Sequence, residues 1–292
     1  MITIDIVGGL GNQLFKIFTV IAYSLENAQP FVFEYREKVG NRFTYWNSFL
    51  SRLKVFTTMV PNSKAVLQNA LQDRTKVLHS EPRKQGYAEI PNYQNRNVFL
   101  KGYFQSHLYF ERYRDKIFQI IGLENHQTEI RQHFIQYFDG NHTTISMHFR
   151  LGDYINLPNS HPIIPYNYYE NSIQYLFDKL GKGGTYKILY FCEKGDNNTV
   201  LDSIIKLKQR FHDRNVSFIK IDDSIDDWKQ VIIMSLCHHN IIANSTFSWW
   251  GAYFGVPENR VVCYPDIWYG TALKYIDMRN MFPNDWQKID CV

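Results

Sequence analysis

The sequence predicts an α/β protein whose second half forms a parallel, doubly wound sheet. Between residues 143 and 264, apolar runs of strand length alternate with amphipathic stretches of helical length. At the start of the chain, the apolar, β-branched run 2–7 enters a glycine-dense turn and then an amphipathic stretch. Regular alternation of strands and helices is typical of parallel sheets whose crossover helices cover both faces.

The first half is predicted to contain strands and helices on either side of an aromatic, arginine-rich stretch. In chain order these are a strand at 2–7, a helix at 11–28, a strand at 31–35, the irregular stretch 36–95, a strand at 97–101 and helices at 106–120 and 127–138. The last helix ends at the turn cluster Asp139-Gly140-Asn141. This cluster predicts a domain boundary, which gives domains at 1–140 and 141–292.

The second half alternates more regularly. The predicted strands are 143–149, 186–192, 216–221, 239–243 and 260–264. The predicted helices are 166–180, 197–211, 226–238 and 246–254, with a glycine-rich turn at 181–184. These segments account for the doubly wound sheet, because each of the first four strands is followed by a helix that can connect it to the next strand.

Composition excludes several classes of protein. Hydrophobic residues make up 45% of the 292 residues, which is enough for a sizeable core. The net charge of +4 fits an anionic small substrate, and the sequence lacks the basic run typical of proteins that bind nucleic acid or an anionic membrane. The sequence contains no apolar span of membrane length, and its start resembles a strand rather than a signal sequence. We therefore expect a cytoplasmic protein without a membrane span.

The glycine-dense turn Gly8-Gly9-Leu10-Gly11-Asn12-Gln13 is the first candidate binding element. Glycines permit backbone conformations that a Cβ atom would block, and they let a ligand approach closely. We therefore select Gly9, Gly11, Asn12 and Gln13 as binding residues, and we expect a positive φ at Gly11. The spacing is not that of a dinucleotide fingerprint, so a turn that serves only packing is the alternative.

The second candidate element is His148-Phe149-Arg150-Leu151-Gly152-Asp153-Tyr154, at the end of a predicted strand. In a strand, His148 and Arg150 share one face, and ligands of open α/β sheets bind at the carboxyl ends of strands. Arginine suits a phosphate group, because its planar guanidinium offers paired donors and keeps its charge. The alternative is a structural ion pair between Arg150 and Asp153 that caps the loop.

The third candidate element is Asn244-Ser245-Thr246-Phe247, where a short apolar strand passes into a helix. Serine and threonine are good N-cap residues, and hydroxyls together with the unpaired amides of a helix start can hold an anion. The alternative is an ordinary capped helix that buries Trp249 and Trp250.

Together these elements resemble the α-1,2-fucosyltransferases, glycosyltransferase family 11. The resemblance rests on Gly-Gly-Leu-Gly-Asn-Gln-Leu-Phe at 8–15, His-x-Arg-x-Gly-Asp-Tyr at 148–154 and Asn-Ser-Thr-Phe-Ser-Trp-Trp-Gly-Ala at 244–252. Gly-Tyr-Phe-Gln-Ser at 102–106 and Ser-Leu-Cys-His-His-Asn at 235–240 are similar to further blocks of the family. The resemblance implies the GT-B arrangement, in which two Rossmann-like lobes face each other across a cleft and the second holds most of the donor nucleotide.

The resemblance also implies a reaction and roles for residues. The reaction is inverting transfer of L-fucose from GDP-β-L-fucose to a sugar hydroxyl, the 2-OH of galactose in a glycan acceptor, without a cofactor. Arg150 would neutralise the departing diphosphate, with Ser245 and Thr246 as further donors. His148 would contact guanine, and Asn12 would face the sugar and phosphate. Asp153 could orient Arg150, hold the loop or act as a base, and we favour orientation.

Phe247 would line the base or fucose pocket, with a place in the helix core as the alternative. Gln230 departs from the family pattern, because family members generally carry an aspartate there that binds the guanine edge. Glutamine offers one acceptor oxygen where a carboxylate offers two, so Asp226 or Asp227 could substitute. Two further readings stay open: an inverting GT-B transferase with another donor or linkage, and a non-catalytic nucleotide- or sugar-binding protein.

The sequence predicts no metal site. The acidic run 222–227 has spacing similar to an Asp-x-Asp metal motif, but it also opens a predicted helix, where carboxylates interact favourably with the helix dipole. Cys192, Cys237, Cys263 and Cys291 lack zinc-ligand spacing. The first three lie in apolar runs and are predicted to be reduced core residues.

Overall fold

Parallel strands form the centre of each of the two units into which the chain divides. The computed structural model describes residues 1–84, 86–181 and 183–292. The first unit comprises residues 1–126 and 275–283, and the second comprises 127–274 and 284–292. Gln85, in the predicted irregular stretch, and Lys182, in the predicted glycine-rich turn, lie outside the described residues.

The first unit is built on the strand order β1-β5-β4, in which all neighbours are parallel. Its elements are β1 (Ile2–Ile4), α1 (Leu10–Asn27), the hairpin strands β2 (Lys38–Val39) and β3 (Arg42–Phe43), α2 (Ser63–Gln72), β4 (Val77–Ser80), β5 (Val98–Lys101) and α3 (Arg114–Ile121). Phe15 and Phe18 on the apolar face of α1 are fully buried. Their rings lie 5.9 and 5.4 Å from the ring of Phe110, which fixes α1 in the core of this unit.

Several predictions for the first half need correction. The strand predicted at 31–35 is reduced to isolated bridges at Phe31 and Phe33. The helix predicted at 106–120 becomes two short 3₁₀ turns followed by α3. The irregular stretch 36–95 contains β2, β3, α2 and β4. These elements are short, so none of them shows enough periods of hydrophobicity to be recognised from sequence.

The second unit contains the doubly wound sheet that the sequence predicts. Its elements are α4 (Leu123–His133, of which the residues from Gln127 belong here), β6 (Thr143–His148), α5 (Tyr166–Leu180), β7 (Tyr186–Phe191), α6 (Asn197–Arg210), β8 (Val216–Lys220), α7 (Asp227–Ser235), β9 (His239–Ile241), α8 (Thr246–Tyr253), β10 (Val262–Pro265) and β11 (Gln287–Ile289). The strand order is β11-β10-β9-β6-β7-β8, and all of the pairs are parallel.

The division into units differs from the predicted domains in two respects. The first unit ends its main segment at His126 rather than at 140, and it takes up residues 275–283. Gln127 belongs to the second unit because its Nε2 donates to the hydroxyl of Ser235 at 3.1 Å and to the carbonyl of Phe254 at 2.9 Å. The turn cluster near 140 therefore lies within the second unit.

The order of strands in the second unit locates the edge at which a ligand is expected to bind. From β6 the chain proceeds outward through β7 and β8, and it then returns to β9 on the other side of β6. The reversal between β6 and β9 is a switch point, and ligands of open α/β sheets bind there, beyond the carboxyl ends of the strands. His148 pairs in register with Phe191, so β6 and β7 end at the same level.

The four cysteines are buried in the protein. Cys192, Cys237 and Cys263 are buried free thiols, as predicted, and so is Cys291. Across residues 1–84, 86–181 and 183–292, no helix has both the length and the apolar character needed to cross a membrane.

Candidate active site

His148 is the last residue of β6 and is almost fully buried, with 6% of its surface exposed. Its Nδ1 lies 2.9 Å from the Oγ of Ser248, and its ring centroid lies 5.5 Å from that of Phe247. Burial, and secondarily the charge of Arg150, lowers the pKa of His148 to about 3. The ring is therefore neutral near pH 7, and Ser248 occupies one of its two nitrogens.

Arg150 follows two residues later and is held between two carboxylates. Its guanidinium forms close ion pairs with Asp153 and with Glu193, and its Cζ lies 5.0 Å from the ring centroid of Tyr154. Burial alone would lower the pKa of Arg150, but the two carboxylates outweigh burial and raise it. The side chain is only 17% exposed, so this is a fixed positive charge at the carboxyl edge of the sheet.

The Nε of Arg150 is buried and has no hydrogen-bond partner within the described part of the chain. An unpaired buried donor lowers the stability of the folded protein unless a ligand or a water molecule accepts its hydrogen bond. The ion pair with Asp153 agrees both with a role of Asp153 in orienting Arg150 and with a structural cap of the loop. The site roles of the two residues therefore remain predictions.

The loop after β6 is fixed against the end of β7. Gly152 has a φ of +37°, and its N–H donates to the carboxylate of Asp196 at 2.9 Å. A Cβ atom on Gly152 would lie 2.8 Å from the Oε2 of Glu193. The glycine thus permits the close approach of the loop that brings Asp153 and Glu193 to the same guanidinium.

The passage from β9 to α8 contains buried residues followed by two half-buried ones. Asn244 is 2% exposed, and its Nδ2 donates to the carbonyls of Pro162 at 2.8 Å and Trp268 at 3.3 Å. Ser245 is the N-cap of α8, and its Oγ accepts from the N–H of Phe247 at 3.3 Å. Thr246 and Phe247 are half-buried. Asn244 therefore fixes two loops, whereas Thr246 and Phe247 are more accessible.

Gln230 lies in α7 and is half-buried. Its Nε2 donates to the carbonyl of Ile225 at 2.8 Å, which commits one of its amide hydrogens. Asp226 forms an ion pair of 2.7 Å with Lys229, and the carboxylate of Asp227 accepts from the N–H of Trp228 at 2.7 Å. These contacts organise the start of α7 itself.

In the first unit, the glycine-dense turn places the special backbone conformation at Gly8. Gly8 has a φ of +87°, whereas Gly9 is the N-cap of α1 with a φ of −72°. The prediction of a positive φ at Gly11 is wrong, because Gly11 lies in the first turn of α1, where the backbone is helical. A Cβ atom on Gly8 would lie 2.9 Å from the Nδ2 of Asn12.

The two amide residues of this turn have different environments. Gln13 is fully buried, and its Nε2 donates to the carbonyls of Gly8 at 2.9 Å and Phe43 at 2.8 Å. Asn12 is half-buried, and its Oδ1 accepts from the Nε2 of Gln105 at 2.8 Å. Gln13 therefore holds the turn in place, whereas Asn12 is joined to the 102–106 block and retains some exposure.

Sequence reasoning missed two carboxylates that follow strand ends. Glu193 follows β7 and contacts Arg150. Glu81 follows β4 in the first unit and accepts from the N–H of Tyr103 at 2.7 Å and of Gln105 at 3.3 Å. Glu193 could have been selected as the acidic residue directly after the strand predicted at 186–192. Glu81 gave no such signal, because β4 was not predicted from the sequence.

The residues that the structure describes include no group of three or more histidine, cysteine, aspartate or glutamate side chains able to hold a metal ion. In the acidic run 222–227, Asp222 accepts from the N–H of Ser224 at 2.8 Å, and Asp223 forms an ion pair of 2.7 Å with Lys220.

The parallel α/β architecture of the two units belongs to the GT-B-like fold class of glycosyltransferases. Over residues 1–289 the chain matches the family model described as glycosyl transferase family 11, and it belongs to that family. The predicted fold class and family resemblance are thereby confirmed.

Two relatives from Escherichia coli are similar to this chain. The O-antigen biosynthesis glycosyltransferase WbnK is 28% identical over 178 residues, which cover 58% of this chain and 55% of WbnK. The alignment thus spans about half the length of WbnK. An alpha-1,2-colitosyltransferase is 24% identical over 299 residues, which cover 97% of each chain.

Among solved structures, the chain is similar to ADP-heptose LPS heptosyltransferase II from E. coli. The TM-score is 0.51 at 10% identity, and the alignment covers 99% of this chain and 89% of that structure. At this identity the likeness concerns the fold alone. It agrees with the GT-B-like class that the sequence predicts.

Proposed function

We propose that this protein transfers L-fucose from GDP-β-L-fucose to the 2-OH of galactose in a glycan acceptor, with inversion at the fucose carbon. The proposal rests on one observation above all: the buried guanidinium of Arg150 at the carboxyl edge of the second sheet, beside the switch point. Membership of family 11 supports the glycosyl-transfer chemistry.

The chemistry of the leaving group explains why such a residue is needed. As the glycosidic bond breaks, GDP gains negative charge on its terminal phosphate, and donors already in place stabilise that charge most effectively. Arg150 supplies a permanent charge and paired N–H donors. Asp153 holds the guanidinium plane, and Ser245 and Thr246 at the start of α8 supply further donors.

The neutral imidazole of His148 suits contact with a base rather than with phosphate. Ser248 occupies its Nδ1, so its Nε2 is the nitrogen left for the guanine edge. Phe247, 5.5 Å from the imidazole ring centroid, supplies an apolar wall. Gln230 replaces the usual carboxylate in this pocket and offers guanine one acceptor oxygen.

In the first unit, we propose that Asn12 faces the transferred sugar and the phosphate. Gly9 and Gly11 give the backbone close access to the ligand, and the buried Gln13 acts by holding the turn through Gly8. Asn12 is already fixed by Gln105, so its amide is presented in one orientation.

A second candidate donor is the nucleotide-activated sugar colitose. The relative named an alpha-1,2-colitosyltransferase aligns with 97% of this chain, which favours this possibility. Colitose is fucose without its 3-hydroxyl, so both sugars present the same linkage and leaving group. The two candidates differ only in whether the pocket binds that hydroxyl.

The test is incubation of the protein with GDP-fucose or GDP-colitose and a panel of galactose-terminated acceptors. Product linkage is determined by NMR and GDP release is measured, with Arg150→Ala as the matched inactive control. We expect an α-1,2-fucosyl product and faster GDP release from GDP-fucose. Transfer from GDP-colitose alone would favour the second candidate. Nucleotide binding without any release of GDP would indicate a binding protein.

A further inference from the structure

Glu193 lies two residues beyond the end of β7, beside the guanidinium of Arg150. Its side chain is 52% exposed, whereas that of Arg150 is 17% exposed. The carboxylate therefore contacts the buried charge on one side and has solvent on another. A group in that position can reach a ligand lying on the carboxyl edge of the sheet.

Glu193 lies at the end of the second strand of a parallel β-α-β unit. The strands β6 and β7 are adjacent and parallel, α5 connects them, and His148 pairs with Phe191 at their ends. In nucleotide-binding units of this type the phosphate lies near the loop after the first strand. An acidic side chain at the end of the second strand binds the ribose hydroxyls. Arg150 is in the first position and Glu193 is in the second.

We propose that Glu193 accepts hydrogen bonds from the ribose hydroxyls of the donor nucleotide and so selects ribonucleotides. This inference rests on the proposed function for the presence of a nucleotide donor. A carboxylate can accept from both hydroxyls of a vicinal diol, and such charge-assisted bonds are the stronger kind. A carboxylate also repels the diphosphate, so Glu193 favours the neutral sugar of the nucleotide over its anionic end.

The other carboxylates near Arg150 are less suitable for this role. Asp196 is 7% exposed and already accepts from the N–H of Gly152. Asp153 lies on the same short loop as Arg150, three residues after it, on the phosphate side. Glu193 alone of these three carboxylates combines exposure with a place at the end of the neighbouring strand.

In this binding mode, the nucleotide replaces the ion pair between Glu193 and Arg150. When the donor binds, the carboxylate of Glu193 moves from the guanidinium to the ribose diol. The guanidinium of Arg150 then contacts the diphosphate. Asp153 remains on Arg150 throughout and keeps its orientation. The Glu193 carboxylate and the Arg150 guanidinium each gain a new partner when they separate. Removal of Glu193 therefore affects the recognition of the ribose more than the overall affinity for the nucleotide.

The test measures the affinities of GDP and 2′-deoxy-GDP by calorimetry for the wild-type protein, Glu193→Gln, Glu193→Ala and Asp153→Asn. For the wild type we expect GDP to bind about 10-fold more tightly than 2′-deoxy-GDP, as for loss of a hydrogen bond to a charged group. For both Glu193 variants we expect a preference of less than about 3-fold. Asp153→Asn is the matched control, because it also removes a carboxylate from Arg150. It should change both affinities and keep their ratio.

The outcomes separate this inference from the proposed function. If both Glu193 variants fold and retain the wild-type preference for GDP, or if Asp153→Asn abolishes that preference equally, the inference is wrong although the proposed function stands. A folded wild-type protein that binds neither nucleotide would overturn the proposed function together with the inference. Glu193→Gln keeps the shape of the side chain, and circular dichroism reports whether each variant folds.

Discussion

The Nδ1 of His148 lies 2.9 Å from the Oγ of Ser248 and so joins the end of β6 to the first turn of α8. This contact lies inside the protein, where a charged imidazole would lose its hydration. Burial likewise lowers the pKa of His239, at the start of β9, to about 4. The folded protein therefore contains two histidines that are neutral well below the pH at which they protonate in an unfolded chain.

We expect the free energy of unfolding to fall as the pH is lowered from about 6.5 to 4. The unfolded chain binds protons at both histidines near pH 6.5, whereas the folded protein, with lowered pKa values, does not. Each such histidine contributes a slope of about 1.4 kcal/mol per pH unit within this window. Urea unfolding at several pH values measures the slope. His239→Asn, whose oxygen can replace the imidazole Nδ1 as acceptor, should reduce it. A stability independent of pH over this range would contradict the prediction.

Arg150→Ala should lower turnover on the order of 10²-fold or more, by analogy with loss of a preorganised donor to a developing negative charge. Arg150→Lys should restore little, because an ammonium group retains the charge but not the planar pair of donors. Steady-state kinetics with GDP-fucose measure both effects. Near-normal turnover of Arg150→Lys would mean that charge alone is sufficient.

Activity should be essentially unchanged by excess EDTA. A diphosphate leaving group needs positive charge, which either a divalent ion or a fixed cationic side chain can supply. The position of Arg150 favours the side chain. The measurement is the initial rate before and after chelation, and after addition of Mn²⁺. Loss of activity with EDTA and its recovery with Mn²⁺ would contradict this prediction and would favour a metal site in the acidic run 222–227.

GDP should raise the melting temperature of the protein much more than equal concentrations of UDP or ADP do. Only a ligand that prefers the folded state stabilises that state. Gln230→Asp should leave GDP binding unchanged or tighten it, because a carboxylate adds a second acceptor for the guanine edge. Thermal melting with each nucleotide tests both points. Equal shifts from all three nucleotides would contradict a guanine pocket.

Gly8→Ser should lower the free energy of unfolding by about 1–2 kcal/mol, because Gly8 has a φ of +87°, which other residues adopt at a cost. Its new Cβ would also press on Asn12. Gly9→Ser is the matched control: a Cβ there meets nothing within 4 Å, and serine is favourable at an N-cap. Urea unfolding of both variants measures their free energies of unfolding. Equal stabilities would show that the turn can relax.

The sequence predicts the second sheet and its edge residues well, because each depends on local pattern. The run 143–149 has the composition of a buried strand, and a period of two places His148 and Arg150 on one face. The same pattern does not predict the contact between Glu193 and Arg150, because that contact depends on β7 being the neighbour of β6. Contacts between strands that are distant in sequence need the strand order, which local pattern does not contain.

The first unit was predicted less well for a related reason. Phe31 and Phe33 are residues typical of a strand, but they form only isolated bridges. Their aromatic rings pack against each other instead of lying in a paired strand. The glycine-dense turn was recognised, yet its special φ lies at Gly8 rather than at Gly11. Which glycine precedes the helix depends on where α1 starts, and helix starts are poorly determined by propensity.

Residues 275–283 belong to the first unit although almost the whole of the second unit precedes them in the chain. The hydroxyl of Ser106 donates to the carbonyl of Asn280, and the N–H of Asp277 donates to the carbonyl of Arg83 at 3.1 Å. On the ribosome, the first unit cannot form these contacts until Asp277 and Asn280 have been made, and both residues follow the main segment 127–274 of the second unit. Domain-by-domain folding from the N-terminus, the usual order during translation, therefore cannot be completed here. The first unit acquires its last native contacts only after residues 127–274 of the second unit have been synthesised.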